Sequence, residues 1–175
     1  LDAYGNFDRA EIAAMGAIVD YLNITQKGKL PLLQPPQQEQ HNKTVQIDAA
    51  TRRNLELTQA LSGGRAGSLL AVIDTTVTAG GARLLERRLS APSRVLETVS
   101  DRLNAVSHVL ENIRITEDIR EKLRQVPDLD RALSRLSLDR GGPRDLTAIR
   151  NGLTEAELIA TNGLGVSPKL LSDAL

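Results

Sequence analysis

The stretch SGGRAGS, residues 62–68, is the part of the sequence that most resembles a functional motif, because of its glycines and their spacing. A phosphate-binding loop places four residues between its two glycines and follows the second with Lys and Ser or Thr, so that backbone amides surround the phosphates and the Lys reaches them. Here Gly63 and Gly67 enclose only three residues, and no Lys precedes Ser68. The stretch therefore predicts a flexible turn before a helix rather than a nucleotide site.

Two histidines, His41 and His108, are the next candidates, since the chain contains no cysteine. His41 lies in a stretch rich in proline and glutamine, and His108 lies between the apolar positions Val106 and Leu110. Neither has a second histidine or a carboxylate in a metal-site pattern, and the sequence contains no nucleophile elbow. We therefore assign no catalytic, cofactor-binding or metal-binding residue, and we predict that this segment is not an enzyme.

The densest basic spots are the pairs Arg52-Arg53 and Arg87-Arg88. Arginine can contact phosphate, but neither pair has further basic neighbours at helical spacing that would make a stripe, so such a contact is not indicated. We predict instead that Arg52 and Arg53 order a junction between a strand and a helix, by pairing with carboxylates or with carbonyls at a helix end.

Charge and aromatic content argue against an independent nucleic-acid-binding module. Lys and Arg together number 22, as do Asp and Glu, so the formal net charge is zero, whereas such modules usually carry a basic excess. The three aromatic residues, Tyr4, Phe7 and Tyr21, lie close to the start of the chain. They offer little for the base stacking on which single-strand and RNA readers depend.

Acidic residues and arginines also lie at helical spacing, as in Glu117 with Arg120 and Glu121 with Arg124 or its neighbour Lys122. Such pairs contribute only about tenths of a kcal/mol each when they are exposed. They predict a solvated, ion-paired face, and the alternative is an interface with another domain.

Apolar residues recur at spacings of three and four over most of the chain, which is typical of amphipathic helices. The first such pattern covers residues 8–24, where Asp8 can cap the helix. From Gly67 onward one helix follows another, and the residues expected to cap, stop or begin these helices are Thr78, Asp128, Pro92, Pro127 and Pro143.

A short strand element is expected near residues 44–58, because Val45 and Ile47 alternate with polar neighbours. Asp48 can then cap a turn of helix over residues 49–54. Residues 28–44 contain three prolines and no helical period, so they predict a connection. The predicted fold class is mainly α, a helical bundle with this one short strand element.

The sequence shows neither a membrane helix nor a signal peptide. Its longest apolar runs are far shorter than a membrane span requires, and no charged start is followed by an apolar run. The lack of cysteine fits a reducing compartment. We predict a cytoplasmic protein without membrane contact. Because the sequence begins with Leu1 and ends in SDAL within a helical pattern, we expect a segment of a longer protein.

Four blocks resemble, in order and spacing, the MutS family of DNA mismatch-repair proteins. They are IDAATRRNLELT (47–58), GSLLAVIDTTVTAGGARLLERRLSAP (67–92), DRLNAV (101–106) and VPDLDRALSRLSLDRGGPRDL (126–146). The most specific pieces are TRRNLEL, the Asp-x-Thr-x-Thr run at 74–78, and PRDL at 143–146. The helix before them is similar, with less specific residues, to the end of the family's connector domain.

This resemblance implies a domain order. Residues 1–30 would be the C-terminal tail of the connector domain, residues 31–44 a linker, and residues 45–175 the first half of the core, or lever, domain, truncated. The segment would couple the binding of mismatched DNA to the ATPase domain of a DNA-binding ATPase that uses ATP and Mg. Its partners would be the connector, clamp and ATPase domains, mismatched double-stranded DNA, and a second copy of the full-length protein.

The family's two best-known sites have no counterpart in these residues. Phe7 is followed by Asp8 and Arg9 rather than by the Phe-x-Glu wedge of the mismatch reader, and the phosphate loop is missing. Arg88 stands where the family has an aromatic residue, which puts one packing contact in doubt. The alternative functions are a helical protein–protein scaffold that stands alone and a nucleic-acid-binding module.

Overall fold

A computed structural model describes residues 7–27, 30–31, 33–36, 43–161, 168 and 171. Most of these residues lie in helices, so the prediction of a mainly α fold is confirmed. The helices in the described ranges are α1 (Arg9–Thr25), α2 (Ala49–Asn54), α3 (Leu69–Ile73), α4 (Ala79–Ser90), α5 (Leu96–Glu111), α6 (Ile113–Gln125), α7 (Leu129–Ser137) and α8 (Pro143–Thr161).

The strand element expected near residues 44–58 is present only as one antiparallel bridge between Thr44 and Ser93. Backbone hydrogen bonds on either side of it join Val45 N to Pro92 O and Arg94 N to Lys43 O, each at 2.8 Å. No ladder extends from this bridge because α2 begins at residue 49, four residues after Val45. The bridge ties the entry of α2 to the connection between α4 and α5.

Side-chain caps begin three of the helices where the sequence predicts them. Asp8, Asp48 and Thr78 each accept a hydrogen bond from the amide three residues further on, at 2.8, 2.9 and 3.0 Å. The prediction that the Asp128 side chain caps α7 is wrong. Asp128 occupies the N-cap position of α7 but makes no side-chain cap hydrogen bond, because its carboxylate binds Arg83 on α4 instead.

Small residues bring α7 and α8 close together. Ala132 on α7 is fully buried and Gly152 on α8 is buried. A Cβ atom at Gly152 would lie 2.5 Å from Leu129 Cδ2, so a larger residue there would force this leucine to move. α8 also packs against α6, α6 against α5, and α3 against α4.

The buried apolar core is small for a chain of 19.0 kDa. The accessible surface of the chain is 13096 Å², whereas a self-contained globular protein of this mass exposes about 8,400 Å². Several helices therefore keep apolar faces open to solvent. The apolar residues that the structure buries are Leu57, Ala60, Leu70, Ala105 and Ala132.

Within the part of the chain that the structure describes, none of the helices combines the length and the apolar character needed to cross a membrane.

Candidate functional site

The glycine-rich stretch is a structural turn. Gly63, Gly64 and Gly67 all have positive φ, at 90°, 81° and 91°, a conformation that glycine adopts at little cost. The turn leads into Ser68, which is fully buried and whose hydroxyl caps α3 by accepting from Ala71 N at 3.2 Å. The stretch forms the turn before a helix that the sequence predicts.

The two arginines at positions 52 and 53 have different surroundings. Arg52 is half-buried and donates from Nη2 to Ile47 O at 3.1 Å, which fixes the chain just before the N-cap Asp48. Arg53 is exposed. Hydrogen bonds from the amide and hydroxyl of Thr51 lower the pKa of Asp48. The predicted ordering of this junction is therefore found for Arg52, through a carbonyl rather than a carboxylate.

The Asp-x-Thr-x-Thr run forms the joint between α3 and α4. Asp74 accepts from the amide and the hydroxyl of Thr76, at 3.0 and 2.6 Å, and pairs with Arg65. The Thr76 hydrogen bonds, ahead of the Arg65 charge, hold the pKa of Asp74 below its ordinary value. Arg120 on α6 donates to Thr75 O at 2.8 Å, so a third helix is attached to the same joint.

Arg83 ties α4 to the start of α7. Its two terminal nitrogens contact the two carboxylate oxygens of Asp128, each at 2.9 Å, and Nη2 also donates to Asp130 at 3.0 Å. This bidentate geometry is the one that guanidinium groups favour. The Arg83 hydrogen bonds lower the pKa of Asp128, and the two carboxylates raise the pKa of Arg83. Arg131 adds a longer ion pair to Asp128 at 3.4 Å.

The PRDL block closes the corner between α7 and α8. Asp145 is buried and accepts from Arg135 Nε at 2.8 Å and from Gly142 N at 3.0 Å. The Arg135 side chain, followed by the Gly142 amide, lowers the pKa of Asp145. In the same corner Arg140 reaches back to Gln26 Oε1 at 3.0 Å, across 114 positions of sequence. Asp145 thus joins two helices and steadies the loop that contacts the end of α1.

We name these contacts the closed junction: Arg65–Asp74, Arg120–Thr75, Arg83 with Asp128 and Asp130, and Arg135–Asp145. The sequence patterns did not predict them, because their partners lie 9 to 47 positions apart on different elements. The pairs expected within α6, Glu117 with Arg120 and Glu121 with Lys122 or Arg124, are not among the ion pairs of the described residues. Arg120 binds the Thr75 carbonyl instead.

Arg88 has different surroundings from Arg83. It is half-buried, and burial lowers the pKa of its guanidinium, with the positive charges of Arg102 and Arg87 acting in the same direction. Among the described residues, no ion pair or hydrogen bond joins Arg88 to a carboxylate. At the position where the sequence put a packing contact in doubt, the described structure therefore has a half-buried cation with no described carboxylate paired to it.

His108 is the histidine that the structure describes. His108 is half-buried on α5, and its Nε2 is buried without a hydrogen-bond partner. His41 lies outside the described residues. Within the described ranges no group of three or more His, Cys, Asp or Glu side chains could hold a metal ion.

An open groove of about 390 Å³ lies between α6 and α8. Its lining mixes apolar and charged side chains without a convergent polar set, so we assign it no ligand. The residues along it are Ile115, Asp118, Ile119, Glu121, Lys122 and Ile159.

We compared the sequence of this chain with family models and with curated proteins. A family model described as MutS domain III matches residues 50–173. The chain is 67% identical over 176 residues to the DNA mismatch repair protein MutS of Roseobacter denitrificans, covering all of this chain and 20% of that protein.

Two further relatives are also DNA mismatch repair MutS proteins. The one from Cereibacter sphaeroides is 64% identical over 175 residues, covering all of this chain and 20% of that protein. The one from Ruegeria pomeroyi is 65% identical over 160 residues, covering 91% of this chain and 18% of that protein. The chain thus spans about a fifth of the length of the curated relatives it matches.

Proposed function

This chain belongs to the MutS domain III family, and we propose that it is the structural core, or lever, segment of a DNA mismatch-recognition protein. In this role it couples the binding of mismatched DNA to a distant ATPase domain. ATP and Mg, which the family resemblance implies, would be bound by other parts of the full-length protein. The partners would be the connector, clamp and ATPase domains, mismatched double-stranded DNA, and a second full-length copy.

One observation carries the proposal: the motif residues that mark the family are used to hold helices together. Asp74 and Thr78 shape the joint between α3 and α4, and Asp145 closes the corner between α7 and α8. Packed helices joined by paired charges move as units rather than bending continuously, which a mechanical link between two sites needs. Residues serving a local reaction would instead converge on a pocket.

We propose the same domain order that the sequence indicates: residues 1–30 as the connector tail, 31–44 as a linker and 45–175 as the first half of the lever domain. One exposed hydrogen bond, from Arg140 Nη2 to Gln26 Oε1 at 3.0 Å, joins the first and third of these parts.

The test uses the full-length protein with Arg135→Ala, which removes the side chain that pairs with Asp145. We expect basal ATP hydrolysis and mismatch binding to remain, and the change in hydrolysis rate caused by mismatched DNA to shrink several-fold. Arg144→Ala is the matched control, because Arg144 is exposed on the same corner. Unchanged coupling in a folded Arg135→Ala protein would contradict the proposal.

A second experiment separates this function from the nucleic-acid-binding alternative. The isolated chain is expected neither to hydrolyse ATP nor to shift mismatched duplex in a gel at low salt. Salt-dependent binding by the isolated chain would favour the nucleic-acid module instead.

A further inference from the structure

Asp128 lies at the N-cap position of α7, but its backbone differs from that of the residues that cap other helices. Its carbonyl accepts from Ala132 N at 3.1 Å, as an N-cap carbonyl does. Its ψ is 86°. At the helix starts where a side chain does cap, ψ lies between 149° and 169°. These capping residues are Asp8, Asp48, Ser68 and Thr78.

The amide that would complete the cap of α7 is close to Asp128. It belongs to Arg131, three residues further on, which is the position that donates to the other capping side chains. The Arg83 hydrogen bond lowers the pKa of Asp128 most, and the nearby Arg131 amide acts in the same direction without forming a cap hydrogen bond. Both carboxylate oxygens are used by Arg83 instead, each at 2.9 Å. Because a cap needs one of these oxygens over the end of α7, pairing and capping are alternatives.

The two arrangements are close in free energy. The side chains of Arg83 and Asp128 are 44% and 20% exposed, and ion pairs at such exposure contribute little to stability. An N-cap aspartate contributes a similar small amount, and it also places its negative charge at the positive end of the helix dipole. Asp130 makes the exchange easier, because it already accepts from Arg83 at 3.0 Å and would remain its partner.

The position of Asp128 gives its backbone control over the direction of α7. α6 ends at residue 125 and α7 begins at residue 129, so Asp128 is the last residue of a three-residue connection. A rotation about ψ of Asp128 therefore turns α7 relative to α6. α8 would move with α7, because the two helices pack together where Gly152 faces Leu129.

We propose that Asp128 is a conformational switch between two states of this chain. In the docked state, which the structure shows, its carboxylate binds Arg83 and holds α7 against α4. In the released state the carboxylate accepts from the Arg131 amide, caps α7, and lets α7 and α8 turn away from α4. This inference concerns conformation and holds independently of the coupling function proposed above.

The first test measures the distance between α4 and α7 in the full-length protein by pulsed electron paramagnetic resonance. Spin labels are attached at Glu86→Cys on α4 and Ser134→Cys on α7, since both positions are exposed. Cysteines elsewhere in the full-length protein are replaced, and labelled protein is diluted with unlabelled protein, so that the measured distances lie within one polypeptide. We expect two populations, a shorter distance for the docked state and a longer one for the released state.

Substitutions at the switch should select one population each. Asp128→Ser can cap α7 but cannot pair with Arg83, so the longer distance should remain. Arg83→Gln should have the same effect, because it frees the carboxylate to cap. Asp128→Glu keeps the charge but replaces a good N-cap by a poor one, so the shorter distance should remain. Asp118→Asn, an exposed change on α6, is the matched control and should preserve both populations. Unaltered distances in Asp128→Ser or in Arg83→Gln would overturn the proposal.

The second test needs no substitution at the switch itself. Salt at about 1 M screens an exposed ion pair, whereas the cap is a hydrogen bond to a neutral amide. Raising the salt concentration should therefore shift the labelled protein towards the longer distance. The Asp128→Ser protein should not respond, because it has no pair to screen. A distance distribution that is independent of salt when Asp128 and Arg83 are both present would overturn the proposal.

Discussion

Arg83 and Arg88 lie five residues apart on α4 and have opposite surroundings. Arg83 contacts two carboxylates across the gap to α7, whereas Arg88 is half-buried beside Arg102 and Arg87. Arg83 thus has its carboxylate partners, Asp128 and Asp130, within this chain. Arg88 carries a positive charge that burial makes costly and that no described carboxylate balances.

The same difference separates two larger regions. In the closed junction each arginine has a partner on another element, and the neighbouring Ser68 and Leu70 are almost fully buried. Along the α5 seam, the face of α5 that carries Leu96, Leu103, Val106 and Leu110, the large apolar side chains are mostly exposed. Nearby Arg88 and Arg102 pair with no carboxylate among the described residues. The described part of the chain therefore contains one region whose contacts are formed and one whose apolar face is exposed.

The largest expected effect comes from a buried leucine. Leu70 is 1% exposed, so Leu70→Ala should lower the free energy of unfolding of this chain by about 2–5 kcal/mol. Leu103→Ala, on the seam, should change it by no more than about 0.5 kcal/mol. Urea titrations of the two variants measure the difference. If the two variants lost similar free energies of unfolding, Leu103 would be packed in solution. That result would contradict the contrast between the closed junction and the α5 seam.

Acid should weaken the closed junction next. Asp128 and Asp145 have pKa values lowered from 3.8 in the folded chain, through Arg83 and Arg135 respectively. The folded state therefore binds protons less readily than the unfolded chain, and the stabilisation is present above pH 3.8 and lost as the pH falls through the lowered values. We expect a urea midpoint that changes little from neutral pH to about pH 5 and then falls.

Asp128→Asn with Asp145→Asn should lower the midpoint at neutral pH and make its acid dependence shallower. Asp118→Asn is the control, because Asp118 is exposed on α6 and lies outside the closed junction. An acid profile identical to that of the unchanged chain would show that these pairs contribute nothing to stability.

Removal of a helix cap should have a smaller effect. Thr78 accepts from Gly81 N at 3.0 Å at the start of α4, so Thr78→Ala should cost about 1 kcal/mol. Thr78→Ser keeps the hydroxyl and should restore most of that loss. Denaturant unfolding followed by circular dichroism measures both, and equal losses for Ala and Ser would assign the role of Thr78 to its methyl group.

The smallest effect has the opposite sign. Arg88→Leu removes a half-buried cation that pairs with no carboxylate among the described residues, so it should raise the stability of the isolated chain by up to about 1 kcal/mol. Arg83→Leu should lower it, since that change leaves Asp128 without its partner. Thermal melts of the two variants compare them directly. A loss for Arg88→Leu as well would mean that Arg88 already has a counter-charge within this chain.

The amino-acid sequence determined the helices and most of their ends. A spacing of three and four places the apolar faces, and a capping side chain needs only an amide three residues away, so Asp8, Asp48 and Thr78 could be assigned by inspection. The family motifs, with their order and spacing, could also be recognised from the sequence alone. A cap or a spacing of three or four is recognised within a few neighbouring residues, which is why it can be read without knowledge of the fold.

Tertiary structure alone decided which charges meet. Asp128 has the residue type and position of a cap, yet a guanidinium 45 positions away takes its carboxylate, because bidentate pairing with Arg83 competes with the helix amides. Arg120 likewise donates to the Thr75 carbonyl on another element and does not pair with Glu117, its expected partner. The sequence specified an apolar stripe on most of the helices, but only the packing showed that the stripe on α5 is largely exposed within the described part of the chain. Contacts between distant elements depend on how the helices are placed, and local spacing does not encode that placement.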